Sequence, residues 1–192
     1  MANELQPLRL SQHDRLILMV IYIAIGVLSR ILPHFPNVTA MTSLCILTST
    51  QFPRIWSFIT ITLTLFISDL ILAYLFHYVV WGDWTIINYF GFIVISFFAT
   101  RFIILNNKIS LWIYLVCSSF GFWVWSNLGT WFFSSMYQHT INGLIVCYIA
   151  ALPFLRNAVV GDLVWMGIIL SLFFCCKFNS LPISSPTKLA PR

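Results

Sequence analysis

Seven apolar runs divide this sequence and determine what it can fold into. They cover residues 16–32, 39–52, 55–76, 86–105, 109–126, 141–155 and 158–176. Of the 192 residues, 60% are hydrophobic and only 8% are charged, against about 25% charged in an average soluble domain. So few charges cannot cover a water-facing surface. The composition therefore excludes a soluble domain and an intrinsically disordered chain, and it predicts one integral membrane domain.

Each run is expected to be an α-helix, because lipid offers no hydrogen-bond partners to an exposed backbone. A membrane span needs about 20 residues, with a range of about 17–25. Five runs reach that length, whereas 39–52 and 141–155 are short. The first run has no small-residue cleavage site at its end near Ser29, so it is interpreted as a retained helix rather than a signal peptide.

The positions of Lys and Arg predict the orientation. If 39–52 crosses and 141–155 does not, eight cations lie inside and two outside. If 141–155 also crosses, the split falls to six against four. We therefore predict an all-α bundle of six transmembrane helices with an extra half-helix at 141–155, in the fifth loop. The predicted divisions are a cytoplasmic segment over 1–15, the bundle over 16–177 and a flexible cytoplasmic tail over 178–192.

The second run contains unusually many hydroxyl side chains for a membrane helix. Small hydroxylated residues allow transmembrane helices to approach closely and to hydrogen-bond to one another. We therefore expect 39–52 to be enclosed by its neighbours, with 55–76 as a partner, and Pro53 to force a tight turn between the two.

Polar residues gather in the loops that this topology turns outward, and three of the four histidines lie there. Charged residues inside the spans follow the same bias, and each costs about 2.5–3.5 kcal/mol on insertion scales unless it faces a cavity or a partner. One interpretation is a polar-lined binding pocket that opens outward. The other is a structural ion pair of Arg30 with Asp69 or Asp162. The candidate binding residues are Arg30, His34, Asn37, Asp69, His77, Trp81, Asn127, His139, Arg156, Asn157 and Asp162.

The sequence contains no motif typical of a metal, cofactor or catalytic site. The three loop histidines could ligate a metal, but no H-x-x-x-H spacing exists, so we predict none. No nucleophile elbow, zinc-protease motif or phosphate-binding glycine loop occurs, so an enzyme is not expected. The scattered cations argue against nucleic-acid binding. The cysteines are expected to be small buried hydrophobic residues, and they are Cys45, Cys117, Cys147, Cys175 and Cys176.

The chain resembles a family of small bacterial membrane proteins described as transport proteins, which is itself similar to the S components, the substrate-binding subunits, of energy-coupling-factor vitamin transporters. The stretches that carry the resemblance are Arg30–Asn37 with Thr39-Ala40, Ser68-Asp69-Leu70, and Tyr137–Phe154 continuing to Gly161-Asp162-Leu163. Pro153-Phe154 followed by Gly161-Asp162-Leu163 is the most specific, since it resembles the last helix of biotin-type S components. The resemblance implies a six-helix bundle that holds a vitamin-sized ligand beneath its outward loops.

The resemblance also implies an ATPase partner if transport is energised. Subunits that share such a module often have small residues four apart on the first helix, whereas here Leu28 follows Ala24 and Arg30 follows Gly26. Docking to an ATPase module is therefore doubtful.

The first hypothesis is a solute-binding transport subunit of the bacterial inner membrane. Asp69, Asp162 and Arg156 would supply charged contacts, Asn37, Asn127 and His139 hydrogen bonds, the loop tryptophans stacking, and His77 a gate or ligand. The second hypothesis is a non-transporting scaffold or assembly protein whose buried charges specify packing. The third is an enzyme acting on lipid.

Overall fold

The computed structural model of the protein describes residues 11–77, 79, 82–103 and 108–175. Seven helices and no strand occur within these ranges, as predicted for an all-α chain. The helices are α1 (Gln12–Ile31), α2 (Met41–Gln51), α3 (Arg54–Phe76), α4 (Asp83–Phe102), α5 (Lys108–Phe133), α6 (Ile141–Ala150) and α7 (Leu152–Cys175). Four of them, α3, α4, α5 and α7, are long and apolar enough to cross a membrane. These four helices indicate a membrane protein, whose outer helix faces would contact lipid.

The second helix lies inside the bundle, where it contacts α1, α3, α4, α5 and α7. Ten of its 11 residues are buried, which confirms that the hydroxyl-rich run is enclosed by its neighbours. A helix of this length is about 16 Å long at about 1.5 Å per residue. That is about half of a hydrocarbon core of about 30 Å, so α2 is too short to cross the membrane at full depth.

A cluster of buried hydroxyl groups joins α2 to two long helices. Ser49 Oγ lies 2.5 Å from Ser96 Oγ of α4 and 3.0 Å from Ser57 Oγ of α3. Ser57 Oγ is also 2.9 Å from Thr48 Oγ1 and 3.0 Å from Ser96 Oγ. Because these hydroxyl groups have no access to water, they stabilise one arrangement of the three helices.

The first helix is joined to the far end of α2 by a large buried ring. The side chain of Tyr22 is fully buried, and its hydroxyl donates to Gln51 Oε1 at 2.6 Å. The ring also makes an edge contact with Phe52, with 5.9 Å between the centroids. This contact holds α1 beside the turn at Pro53 that leads into α3.

The bounds of the predicted half-helix at 141–155 require correction. The helix in that region, α6, has only 10 residues and ends at Ala150. The single residue Ala151 separates it from α7, with φ of −87° and ψ of −5°. Pro153 lies in the first turn of α7, where its missing N–H removes no helical hydrogen bond. The proline therefore begins the last helix instead of closing the short one.

Two helix boundaries move candidate site residues from loops onto helices. The last helix begins at Leu152, so Arg156 and Asn157 lie within α7 and not in a loop. The fifth helix continues to Phe133, so Asn127 lies on a helix as well. Asn127 Nδ2 donates to the Trp123 carbonyl oxygen at 2.8 Å, and a polar side chain satisfied in this way does not end a helix.

The last helix approaches the α1–α2 loop at Gly161. A Cβ added there would lie 2.9 Å from the backbone Cα of Val38. Replacing Gly161 by alanine is expected to lower the free energy of unfolding by about 1–3 kcal/mol, because two backbones would have to separate. Gly167 is the matched control on the same helix, since a Cβ there meets nothing within 4 Å. Its replacement by alanine should leave stability equal or raise it by up to about 1 kcal/mol. Unfolding in mixed detergent micelles measures both, and equal values for the two variants would contradict this packing.

Candidate functional site

One end of the bundle encloses a cavity of about 800 Å³. The C-terminal parts of α1, α3 and α5, the N-terminal parts of α4 and α7, and the α1–α2 loop surround it. Exposed residues such as His34, Asn37 and Trp84 lie at its rim, and the buried side chains of Thr42, Ser119 and Asp162 lie at its base. The cavity is therefore open at the end of the bundle and closed towards its middle.

An ion pair spans the wall of the cavity. Arg30 Nη2 lies 2.7 Å from Asp69 Oδ1, and the two side chains are 21% and 18% exposed. Arg30 Nη1 donates to Ser68 Oγ and, at 3.4 Å, to the Leu65 carbonyl oxygen. The Tyr89 hydroxyl donates to the other carboxylate oxygen of Asp69 at 2.9 Å. The pair thus connects α1, α3 and α4, and both of its charges are satisfied within the protein.

Asp162 lies deeper than the ion pair and is only 4% exposed. Ser119 Oγ donates to its Oδ2 at 2.5 Å, and Ser43 Oγ donates to its backbone carbonyl oxygen at 3.1 Å. Within the described residues, Asp162 has no ion-pair partner. Its carboxyl group is therefore held by the neutral hydroxyl group of Ser119, and the backbone of the same residue is held by the hydroxyl group of Ser43.

Aromatic rings form much of the remaining wall. The rings of Phe92 and Phe122 stack with 4.3 Å between their centroids. Trp123 Nε1 donates to the Ala151 carbonyl oxygen at 2.9 Å, so this indole is held at the break between α6 and α7. Trp84 stands at the rim with 52% of its surface exposed. These rings provide apolar surface on several sides of the cavity.

The predicted site residues divide into three groups. Six line the cavity, namely Arg30, His34, Asn37, Asp69, Asn127 and Asp162. Four do not line it, namely His77, His139, Arg156 and Asn157. Trp81 lies outside the described residues. The prediction that Arg30 pairs with Asp69 or Asp162 resolves in favour of Asp69.

Each of the four residues away from the cavity has a physical reason for its position. His77 caps α3 in a left-handed conformation, with φ of 56°. His139 packs against Trp131, with 5.6 Å between the ring centroids. Arg156 and Asn157 lie on faces of α7 other than the face that carries the lining residues Phe154, Ala158 and Asp162. An apolar run and its flanking residues do not specify which face of a helix will meet the other helices.

Several wall residues carried a signal that the sequence analysis missed. Trp123, Ser126, Asn127 and Thr130 recur at three- and four-residue spacing, which places them on one face of α5. The apolar run 109–126 places Trp123 on a helix but Ser126 and Asn127 at the start of a loop, so the shared helical face is not apparent from hydropathy. The lining residues of α4 follow the same helical spacing, and they are Trp84, Thr85, Asn88, Tyr89 and Phe92.

The described residues bring no three His, Cys, Asp or Glu side chains together in a way that could hold a metal ion. Cys45 and Cys147 are buried, as predicted, whereas Cys117 is exposed and corrects that prediction. The side chain of Cys175 and the whole of Cys176 lie outside the described part of the chain.

The fold and the cavity define an all-helical membrane protein with a polar and aromatic pocket at one end of its bundle. A family of unknown function, DUF6580, matches residues 10–184, and the chain belongs to this family. No curated protein and no solved structure matches the chain.

Proposed function

We propose that this protein is a substrate-binding transport subunit that captures a small vitamin-like or cofactor-precursor solute in the end cavity. The observation that carries the proposal is the cavity itself, whose volume of about 800 Å³ lies within the range of about 300–1,000 Å³ for ligand sites. Such sites combine apolar walls with a few fixed polar groups. Phe122 and Trp123 supply apolar wall, and Asp162 and Asn127 supply fixed polar groups. No catalytic role is proposed.

The proposed orientation turns the cavity to the outer face. Arg54 and Arg101 lie at the opposite ends of α3 and α4 from the cavity, and cations favour the cytoplasmic side. In this proposal both termini are cytoplasmic in a bacterial inner membrane. The six proposed spans comprise α1, the four long helices and the segment 39–52, in which residues on either side of the short α2 complete the crossing. The short helix α6 is the proposed extra half-helix.

The proposed mode of action follows the resemblance to S components. The subunit would bind its solute from outside, and an ATPase module would supply energy if transport is driven. The departures at Leu28 and Arg30 on the first helix remain a reason to test the subunit alone first.

The test is native mass spectrometry of the full chain, gently purified from its own host. We expect a stoichiometric adduct of a few hundred daltons on the unaltered protein. Replacing Ala158, which lines the cavity, by phenylalanine should remove that adduct, because the new ring fills the space of the solute. Val160 is the matched control on α7, since its side chain is 54% exposed. The same replacement there should keep the adduct.

A scaffold or assembly protein is the alternative, and one observation favours it. The charges of Arg30 and Asp69 satisfy each other and need no ligand. A clean apo mass, unchanged after soaking with a panel of vitamins and cofactor precursors, would contradict solute binding and favour the scaffold.

A further inference from the structure

We infer that the cavity takes a solute with a single positive charge on an aromatic body, such as a protonated amine or a quaternary nitrogen heterocycle. The inference rests on the proposed solute binding and names the class of the solute. It comes from the placement of three charges and from the rings around them.

The charges of the cavity do not cancel. The described lining residues contain one Arg, Arg30, and two carboxylates, Asp69 and Asp162. The charges of Arg30 and Asp69 neutralise each other in their ion pair at 2.7 Å. With Asp162 ionised, the arginine and carboxylate groups that line the cavity carry one net negative charge, which lies on Asp162.

Asp162 lacks the compensation that Asp69 has. It is 96% buried, since 4% of its surface is exposed, and its side chain is bonded to the neutral hydroxyl of Ser119. A carboxylate in apolar surroundings without a counter-ion is costly, and burial strengthens its attraction to any cation that reaches it. A cationic solute at the base of the cavity would supply the missing counter-ion.

The walls favour a cation over other solutes. The faces of aromatic rings attract cations within about 6 Å of their centroids, and Phe92, Phe122 and Trp123 all line the cavity. An anionic solute would meet the charge of Asp162. It would also find Arg30 already engaged by Asp69, Ser68 and the Leu65 carbonyl group.

The experiment compares three probes of similar size and shape but different charge. They are N-methylquinolinium (a permanent cation), N-methyl-2-quinolone (neutral) and quinoline-2-carboxylate (an anion). Isothermal titration calorimetry of the purified full chain in detergent micelles at pH 8 gives the three affinities. We expect the cation to bind at least about tenfold more tightly than the quinolone, because it gains coulombic attraction to Asp162 and cation–π contacts in a partly desolvated site. We expect no measurable binding of the carboxylate.

The contribution of Asp162 is then tested with Asp162→Asn. This replacement keeps the shape of the side chain and can still accept a hydrogen bond from Ser119. This variant should lose the preference for the cation. Asp14→Asn is the matched control, because Asp14 is exposed in the first turn of α1. It should keep the preference. If Asp162→Asn does not fold, the three probe affinities of the unaltered chain still test whether the cavity prefers a cation.

Each contrary result overturns the inference in a recognisable way. Equal or tighter binding of the quinolone or the carboxylate would reject a cationic solute and leave solute binding intact. A cation preference that survives Asp162→Asn would reject Asp162 as its source. Binding of none of the probes would also reject the inference, and the proposed function fails with it only if native mass spectrometry finds no adduct.

Discussion

Replacing Asp69 by leucine is expected to lower the free energy of unfolding by about 3 kcal/mol, as for other buried pairs that lose one partner. The change leaves the guanidinium of Arg30 inside the bundle without its counter-ion at 2.7 Å. It also removes the acceptor of the Tyr89 hydroxyl. Because these bonds connect three helices, we expect the cavity wall to loosen at the same time.

The double variant Arg30→Met with Asp69→Leu distinguishes two effects. One is the loss of the ion pair, and the other is the cost of leaving the charge of Arg30 unpaired. Two apolar side chains of similar volume often replace an ion pair at little cost, so this variant should recover most of the lost stability. Unfolding by sodium dodecyl sulfate in mixed micelles, followed by tryptophan fluorescence, measures the single and double variants. If the double variant is as unstable as Asp69→Leu, the cost does not arise from the unpaired Arg30.

Replacing Tyr22 by alanine is expected to lower the free energy of unfolding by about 3–5 kcal/mol, the usual cost of deleting a buried aromatic ring. The ring is fully buried and packs against Phe52. Tyr22→Phe keeps the ring and removes only the hydroxyl that donates to Gln51, so it should cost about 1 kcal/mol.

Tyr74→Ala is the control for the loss of a tyrosine ring. Tyr74 is 82% exposed on α3, so its removal should change stability by less than about 0.5 kcal/mol. The same unfolding measurement applies to all three tyrosine variants. A Tyr22→Ala variant no less stable than Tyr74→Ala would show that α1 is not held by this ring.

Residues with one plausible environment were predictable from the sequence. A helix as rich in hydroxyl groups as α2 can only be stable inside the bundle, and it lies there. Arg30, Asp69 and Asp162 are too costly to face lipid, and all three line the cavity. These positions were predictable because the alternative environment, lipid, would cost too much free energy.

The end of α5 was not predictable from hydropathy. Asn127 has the composition of a loop residue, yet its amide bonds to the helix backbone and α5 continues to Phe133. The hydroxyl group of Thr130 also bonds to the backbone of its own helix, since it donates to the Ser126 carbonyl oxygen at 3.0 Å. Hydropathy marks how apolar a segment is, and it does not mark where such local hydrogen bonds allow the helix to continue.

The enclosed position of α2 has a consequence for the order in which the chain enters the membrane. Five of its 11 residues carry hydroxyl groups, and such a short helix gains little by entering lipid alone. Its hydroxyl partners arrive later in synthesis, with Ser57 on α3 and Ser96 on α4. The nascent chain must therefore extend through α4, to Phe102, before α2 has all the side-chain partners of its hydroxyl cluster.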